Sequence, residues 1–75
     1  MNAPNQQVDM TSPEYRRGVD AANRILDQTY LSAQDLLTRW ESIAERAHAS
    51  EDIARYHYAK GMVDTLREYI EDRSR

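Results

Sequence analysis

The chain has no cysteine and only two glycines and two prolines among its 75 residues. Without cysteine it can form neither a disulfide nor a thiolate metal site. It also has no long apolar run, so the sequence predicts no membrane-spanning helix and no membrane partner. Residues 1–12 lack the basic and apolar regions of an export signal. We therefore expect a soluble, cytoplasmic protein.

Neither sign of charge strongly predominates in the chain. Thirteen acidic residues stand against ten basic ones, which gives a formal net charge of −3. Nucleic-acid binding depends on clustered Lys and Arg that neutralise phosphates, and here the two signs are interspersed. The composition argues against nucleic acid as the main partner.

Residues 1–12 are polar, and we expect a flexible N-terminal arm in which Val8 and Met10 are the sizeable apolar groups. Ser12-Pro13-Glu14 is typical of a helix start, with a hydroxyl cap, proline at the first helical position and an acid in the first turn. Residues 13–75 are predicted to form a single α-helical domain.

From the predicted helix start onward, apolar residues recur in alternating steps of four and three. This spacing is a heptad seam, and it predicts a helix that packs its seam into a core. The seam residues are Tyr15, Val19, Ala22, Leu26, Thr29, Ala33, Leu36, Trp40, Ile43 and Ala47.

A competing signal interrupts the seam. Leu31-Ser32-Ala33-Gln34-Asp35-Leu36 has a capping serine, an acid three residues later, and leucines placed as a hydrophobic staple. The chain therefore makes either one long first helix or two helices that meet near Leu31. We favour the continuous helix slightly, because no Gly or Pro occurs between residues 19 and 60 and the seam keeps its phase.

The last predicted helix, residues 50–73, begins after a turn, with Ser50 as its expected cap. At 100° per residue it carries two separate uncharged faces. One is expected to pack in the core of the chain and comprises Tyr56, Ala59, Val63, Leu66 and Ile70. The other is expected to bind a partner and comprises Tyr58, Gly61, Met62, Thr65 and Tyr69.

A long first helix extends beyond the reach of the last helix, which would leave Tyr15, Val19 and Ala22 uncovered. A second copy could cover them, so the continuous arrangement predicts a helical hairpin that assembles as a dimeric helical bundle. A chain that breaks near Leu31 could instead form a monomeric three-helix bundle.

Candidate chemistry is weak. Glu45 and His48 have the Glu-x-x-His spacing of metal-binding bundles, but the heptad phase turns both outward. His57 also lies outside the seam, and no nucleophile has an adjacent base. We therefore expect no enzyme activity, no cofactor, no metal and no small-molecule substrate. A helix-turn-helix alternative would place Arg55, His57, Tyr58 and Lys60 against a nucleic-acid groove.

Lys60-Gly61, Val63 and Leu66-Arg67-Glu68 match a pattern within residues 55–68. This stretch resembles the second helix of small helical-hairpin accessory proteins of tailed bacteriophages and prophages, where a basic-Gly pair precedes a β-branched residue and Leu-Arg-Glu. The resemblance implies a virion component or an inhibitor of a host factor, located in the host-cell cytoplasm or the virion.

Together these features predict a non-catalytic helical module that binds itself, as a homodimer, and an unidentified protein partner. The alternative is a small transcriptional or nucleic-acid-binding regulator.

Overall fold

The computed structural model describes residues 9–28 and 32–74, which form three α-helices and no strand. They are α1 (Pro13–Gln28), α2 (Ala33–Ala49) and α3 (Ile53–Arg73). The all-helical prediction is confirmed. Most of the predicted arm, including Val8, lies outside the described residues. None of the three described helices is both long and apolar enough to cross a membrane.

Serine side chains begin the first two helices. The Ser12 hydroxyl accepts a hydrogen bond from the Tyr15 backbone N–H at 3.1 Å. Ser32 is extended and accepts from the N–H groups of Gln34 and Asp35 at 3.1 and 3.3 Å. A cap of this kind is worth about 1 kcal/mol.

The continuous first helix that we favoured is therefore wrong, because α2 begins anew at the Ser32 cap. A seam that keeps its phase does not reveal such a break: separate helices can each direct their part of the seam into one core. The capping serine was the more informative signal. Leu31, the other half of the predicted staple, lies outside the described residues.

The turn between α2 and α3 differs from the prediction in its cap. Ser50 ends α2, and its hydroxyl donates to the Arg46 carbonyl oxygen at 2.8 Å. Asp52 caps α3 and accepts from the Arg55 N–H at 3.2 Å. Between them Glu51 has a φ of 59°, the left-handed region that usually favours glycine. The last helix therefore starts later than its expected cap at Ser50.

α3 packs against both other helices, whereas α1 and α2 make few direct contacts in the described part of the chain. α2 runs antiparallel to α3, since Glu41 pairs with Arg67 while His48 lies against Tyr56 near the turn. The short link from α1 to α2 spans at most about 17 Å. α1 therefore runs alongside α3 in the same direction.

The core forms where α3 faces the other helices. Met62 and Leu66 are completely buried, and Val63 nearly so. The remaining buried members of this cluster are Ala22, Leu36 and Leu37, and the partly buried residues packed around it are Ala21, Ile25, Leu26, Trp40, Tyr58 and Ile70.

α1 and α3 cross at two glycines. A Cβ atom on Gly18 would overlap the carbonyl oxygen of Tyr58, and one on Gly61 would overlap the carbonyl oxygen of Tyr15. Each glycine thus admits the backbone of the opposite helix. At Gly61 the approaching backbone belongs to α1.

The first part of the seam is covered by this crossing. Tyr15 and Ala22 are buried and Val19 is partly buried, with α3 packed over them. They were expected to lie bare and to require a second copy. A homodimer stays a prediction, but an uncovered seam no longer supports it.

Candidate functional site

Within the sector of α3 that was predicted to bind a partner, Gly61 and Met62 lie at the crossing with α1. Gly61 and Met62 are buried, while Tyr58, Thr65 and Tyr69 are partly buried. The two uncharged faces of α3 indicate that two elements pack against it, and in the structure these are α2 and α1. Gly61 and Met62 are therefore buried in the folded chain, and binding of a partner through this sector stays a prediction that the burial of these two residues does not favour.

A partly buried hydrogen bond ties α1 to α3 beside the glycine crossing. The Tyr15 hydroxyl donates to the Asp64 carboxylate at 2.6 Å, and the Lys60 ammonium lies 3.9 Å from the same carboxylate group. Burial, together with the hydrogen bond to Asp64, raises the pKa of Tyr15 to about 12. Asp64 is thus a structural acceptor and not a free surface charge.

The two histidines differ in position. His48 and Glu45 are exposed, as the heptad phase predicted. His57 was expected outside the core, but it is buried, with Nδ1 2.9 Å from the Ile53 carbonyl oxygen. His57 stands one helical turn before Gly61, the residue at which α3 meets α1, and the seam of the first helix could not show this. Residues 9–28 and 32–74 contain no group of three or more His, Cys, Asp or Glu that could hold a metal ion.

The four residues of the helix-turn-helix alternative do not form one surface. His57 is buried, and Lys60 opens onto a different groove from Arg55 and Tyr58. The described geometry offers no helix face that would present all four to a nucleic acid.

One groove between α2 and α3 is charged, and we name it the Glu41 groove. It has a volume of about 490 Å³. Arg67 and Glu41 bridge it with a hydrogen-bonded ion pair at 2.8 Å. Its lining residues are Glu41, Ala44, Glu45, His48, Tyr56, Lys60, Val63 and Arg67. Glu41 and Arg67 thus satisfy one another within this groove.

On the other side of α2 lies the Trp40 groove, which is lined by Trp40, Ile43, Arg55 and Tyr58 and has a volume of about 430 Å³. The rings of Trp40 and Tyr58 are tilted by 52°, with centroids 5.7 Å apart. Trp40, Ile43 and Tyr58 are each partly exposed. Trp40 therefore serves as a core residue on one side, as predicted, and as a groove wall on the other.

Basic side chains border the Trp40 groove. Arg55, 69% exposed, has only a 3.8 Å contact with Asp52. On α2, Arg39 and Arg46 are exposed and stand four residues before and three after Ile43, which places them beside it on the helix surface. The opposite flank of α2 carries Glu41 and Glu45, so the two flanks differ in sign.

Single residues of this site were assigned from the sequence, but their proximity in the fold was not predicted. Trp40 and Ile43 were assigned to the seam, and Tyr58 to a partner face, without any sign that they meet. The spacing Arg39, Ile43, Arg46 was a usable signal, because it marks an apolar residue flanked by two cations on one helix surface. Finding the groove also required knowing which side of α3 lies against α2.

The described residues thus form an all-helical fold in which α3 packs against both α1 and α2. Comparison with known protein families, with curated proteins and with solved structures found no match.

Proposed function

We propose that this chain is a non-catalytic protein-binding module and that the Trp40 groove is its binding surface. The observation that carries the proposal is the partial exposure of Trp40, Ile43 and Tyr58 around one open groove. Trp, Tyr and Arg are the residue types that most often dominate binding energy at protein interfaces. A partner side chain that fills the groove would bury the exposed edges of both aromatic rings.

This proposal keeps the interaction role expected from the sequence and moves it to another surface. Of the residues first expected to contact a partner, Tyr58 alone lines the Trp40 groove. The setting we propose, a phage or prophage accessory protein in the host-cell cytoplasm or virion, rests on the resemblance within residues 55–68.

Site-directed photo-crosslinking in cells that naturally encode the chain tests the proposal. A photoreactive phenylalanine analogue is placed at Ile43, inside the groove, or at Ser42, which is exposed on the same helix. We expect discrete protein adducts from position 43 and none of the same size from position 42.

The purified adduct partner is then tested against two variants. Ile43→Asp places a carboxylate in the groove, while Ser42→Asp adds the same charge at an exposed position. Binding should be lost in the first variant and kept in the second, with both proteins equally helical by circular dichroism. Equal adducts at both positions, or equal binding by both variants, would show that the groove is not the binding surface.

A further inference from the structure

We infer that the Trp40 groove takes an acidic amphipathic segment of a partner protein, with an apolar side chain on Trp40, Ile43 and Tyr58 and carboxylates facing Arg39, Arg46 and Arg55. The inference rests on the proposed function and adds the chemistry of the partner.

The floor of the Trp40 groove is apolar. Trp40 and Tyr58 pack together and, with Ile43, form the partly exposed apolar lining of the groove. A surface of this size matches one or two apolar side chains. An amphipathic helix presents such side chains at spacings of three and four residues, the usual way in which a helix occupies a groove between two others.

The rim of the Trp40 groove is basic. Arg55 borders the groove from α3, and Arg39 and Arg46 stand beside Ile43 on α2. Within the described residues, neither Arg39 nor Arg46 has a carboxylate at ion-pair distance. Guanidinium groups form paired hydrogen bonds with carboxylates, so the rim complements an acidic partner.

Protein fits the site better than nucleic acid does. Trp40 and Tyr58 pack against one another and against the core cluster, so neither ring stands free on the surface as a stacking platform for bases. The opposite flank of α2 carries Glu41 and Glu45. Because the two flanks of α2 differ in sign, the basic flank suits a short acidic segment better than an extended phosphate backbone, which needs a longer run of cations.

The test uses the full chain and its single tryptophan as the reporter. Three synthetic amphipathic helices share an apolar leucine face and differ on the other face, which carries Glu, Gln or Lys. Each is titrated at low salt while Trp40 emission is followed. The Glu peptide should bind with a blue shift, more tightly than the Gln peptide, and the Lys peptide should bind most weakly. Raising the salt from about 50 to about 500 mM should weaken the Glu peptide most.

Matched arginine variants locate the effect. Arg39→Gln with Arg46→Gln removes two rim charges, and Arg16→Gln with Arg24→Gln removes two exposed charges from α1. The rim variant should bind the Glu peptide about five- to tenfold more weakly, the size expected for two solvent-exposed ion pairs. The α1 variant should bind like the wild type.

Other outcomes overturn the inference. Equal shifts of Trp40 emission by all three peptides would keep the groove as a protein site but refute its preference for acid. A shift caused only by single-stranded oligothymidylate would refute both this inference and the proposed function. A shift caused by protein concentration alone, with a dimer mass in light scattering, would assign the groove to a second copy of the chain.

Discussion

Gly18 and Gly61 face each other where α1 and α3 cross. The α3 backbone around residue 61 fills the space beside Gly18, and the α1 backbone around residue 18 fills the space beside Gly61. A methyl group on either glycine would overlap a carbonyl oxygen of the facing helix. Such an oxygen cannot move aside by a rotamer change, so the helices themselves would have to separate.

Gly18→Ala or Gly61→Ala should therefore destabilise the chain although alanine is the better helix former. The higher helix propensity of alanine stabilises the fold by about 1 kcal/mol, whereas overpacking destabilises it by up to about 3 kcal/mol or more. We expect a net loss of about 2 kcal/mol for each, measured by urea denaturation. Ser42→Ala, at an exposed position, should change stability by less than about 0.5 kcal/mol.

The double glycine variant gives a sharper check. Once the helices have moved apart for the first methyl group, the second meets less resistance, so the combined loss should be smaller than the sum of the single losses. Additive losses would mean that the two glycines act independently and that the described crossing is not their shared constraint.

Tyr15 should make stability depend on pH in the alkaline range. Its pKa is raised from 10 to about 12 in the folded chain, so folding favours the protonated phenol. This contribution is fully present below pH 10, the unfolded value, and is lost as the pH rises toward 12. The wild-type melting temperature should fall over that window, and Tyr15→Phe should fall less. Parallel melting curves for the two proteins would contradict the partly buried Tyr15–Asp64 bond.

Met62→Glu should unfold the chain. Met62 has no exposed surface and lies in the core cluster, so a carboxylate there would be buried without a partner. That costs several kcal/mol, comparable with the whole stability of a domain of this size. Circular dichroism should show a large loss of helix. Ala54→Glu adds the same charge at an exposed position of α3 and should keep its helicity.

Glu51→Gly should stabilise the chain. A non-glycine residue in the left-handed region, such as Glu51, destabilises the folded chain by about 1 to 2 kcal/mol. Glycine removes this strain, but its greater conformational freedom in the unfolded chain offsets about 0.5 to 1 kcal/mol of the gain. A net gain of about 0.5 to 1 kcal/mol is expected in thermal or urea unfolding. Glu45→Gly, in the middle of α2, should instead lose about 1 kcal/mol. Equal losses would place Glu51 in an ordinary conformation.

Local signals in the sequence predicted much of the fold. Pro13 at a first helical position and the serine caps are short-range features, and the helices begin at or near them. The capping signal at Ser32 correctly marked a break between two helices, whereas the constant phase of the seam favoured one continuous helix. The turn differed at Ser50 because a left-handed residue and a second cap at Asp52 follow it.

The long-range pairings could not be predicted in the same way. The two faces of α3 were evident from helical spacing, yet nothing in that spacing says whether α1 or another chain covers Gly61 and Met62. The meeting of Trp40 with Tyr58 likewise depends on how α2 and α3 are rotated about their axes. Helical periodicity gives the width of an apolar face but not the identity of the helix that packs on it.

The position of α3 between the other helices has a consequence for the order of folding. α2 and α3 are joined by a short turn and can pair as a local hairpin, whereas contacts of α1 with α3 must close a long loop. We expect α1 to dock last and to detach first, with its amide hydrogens exchanging faster than those in the α2–α3 hairpin. Detachment of α1 would be the event that uncovers Gly61 and Met62, and its rate would then limit any association through that face.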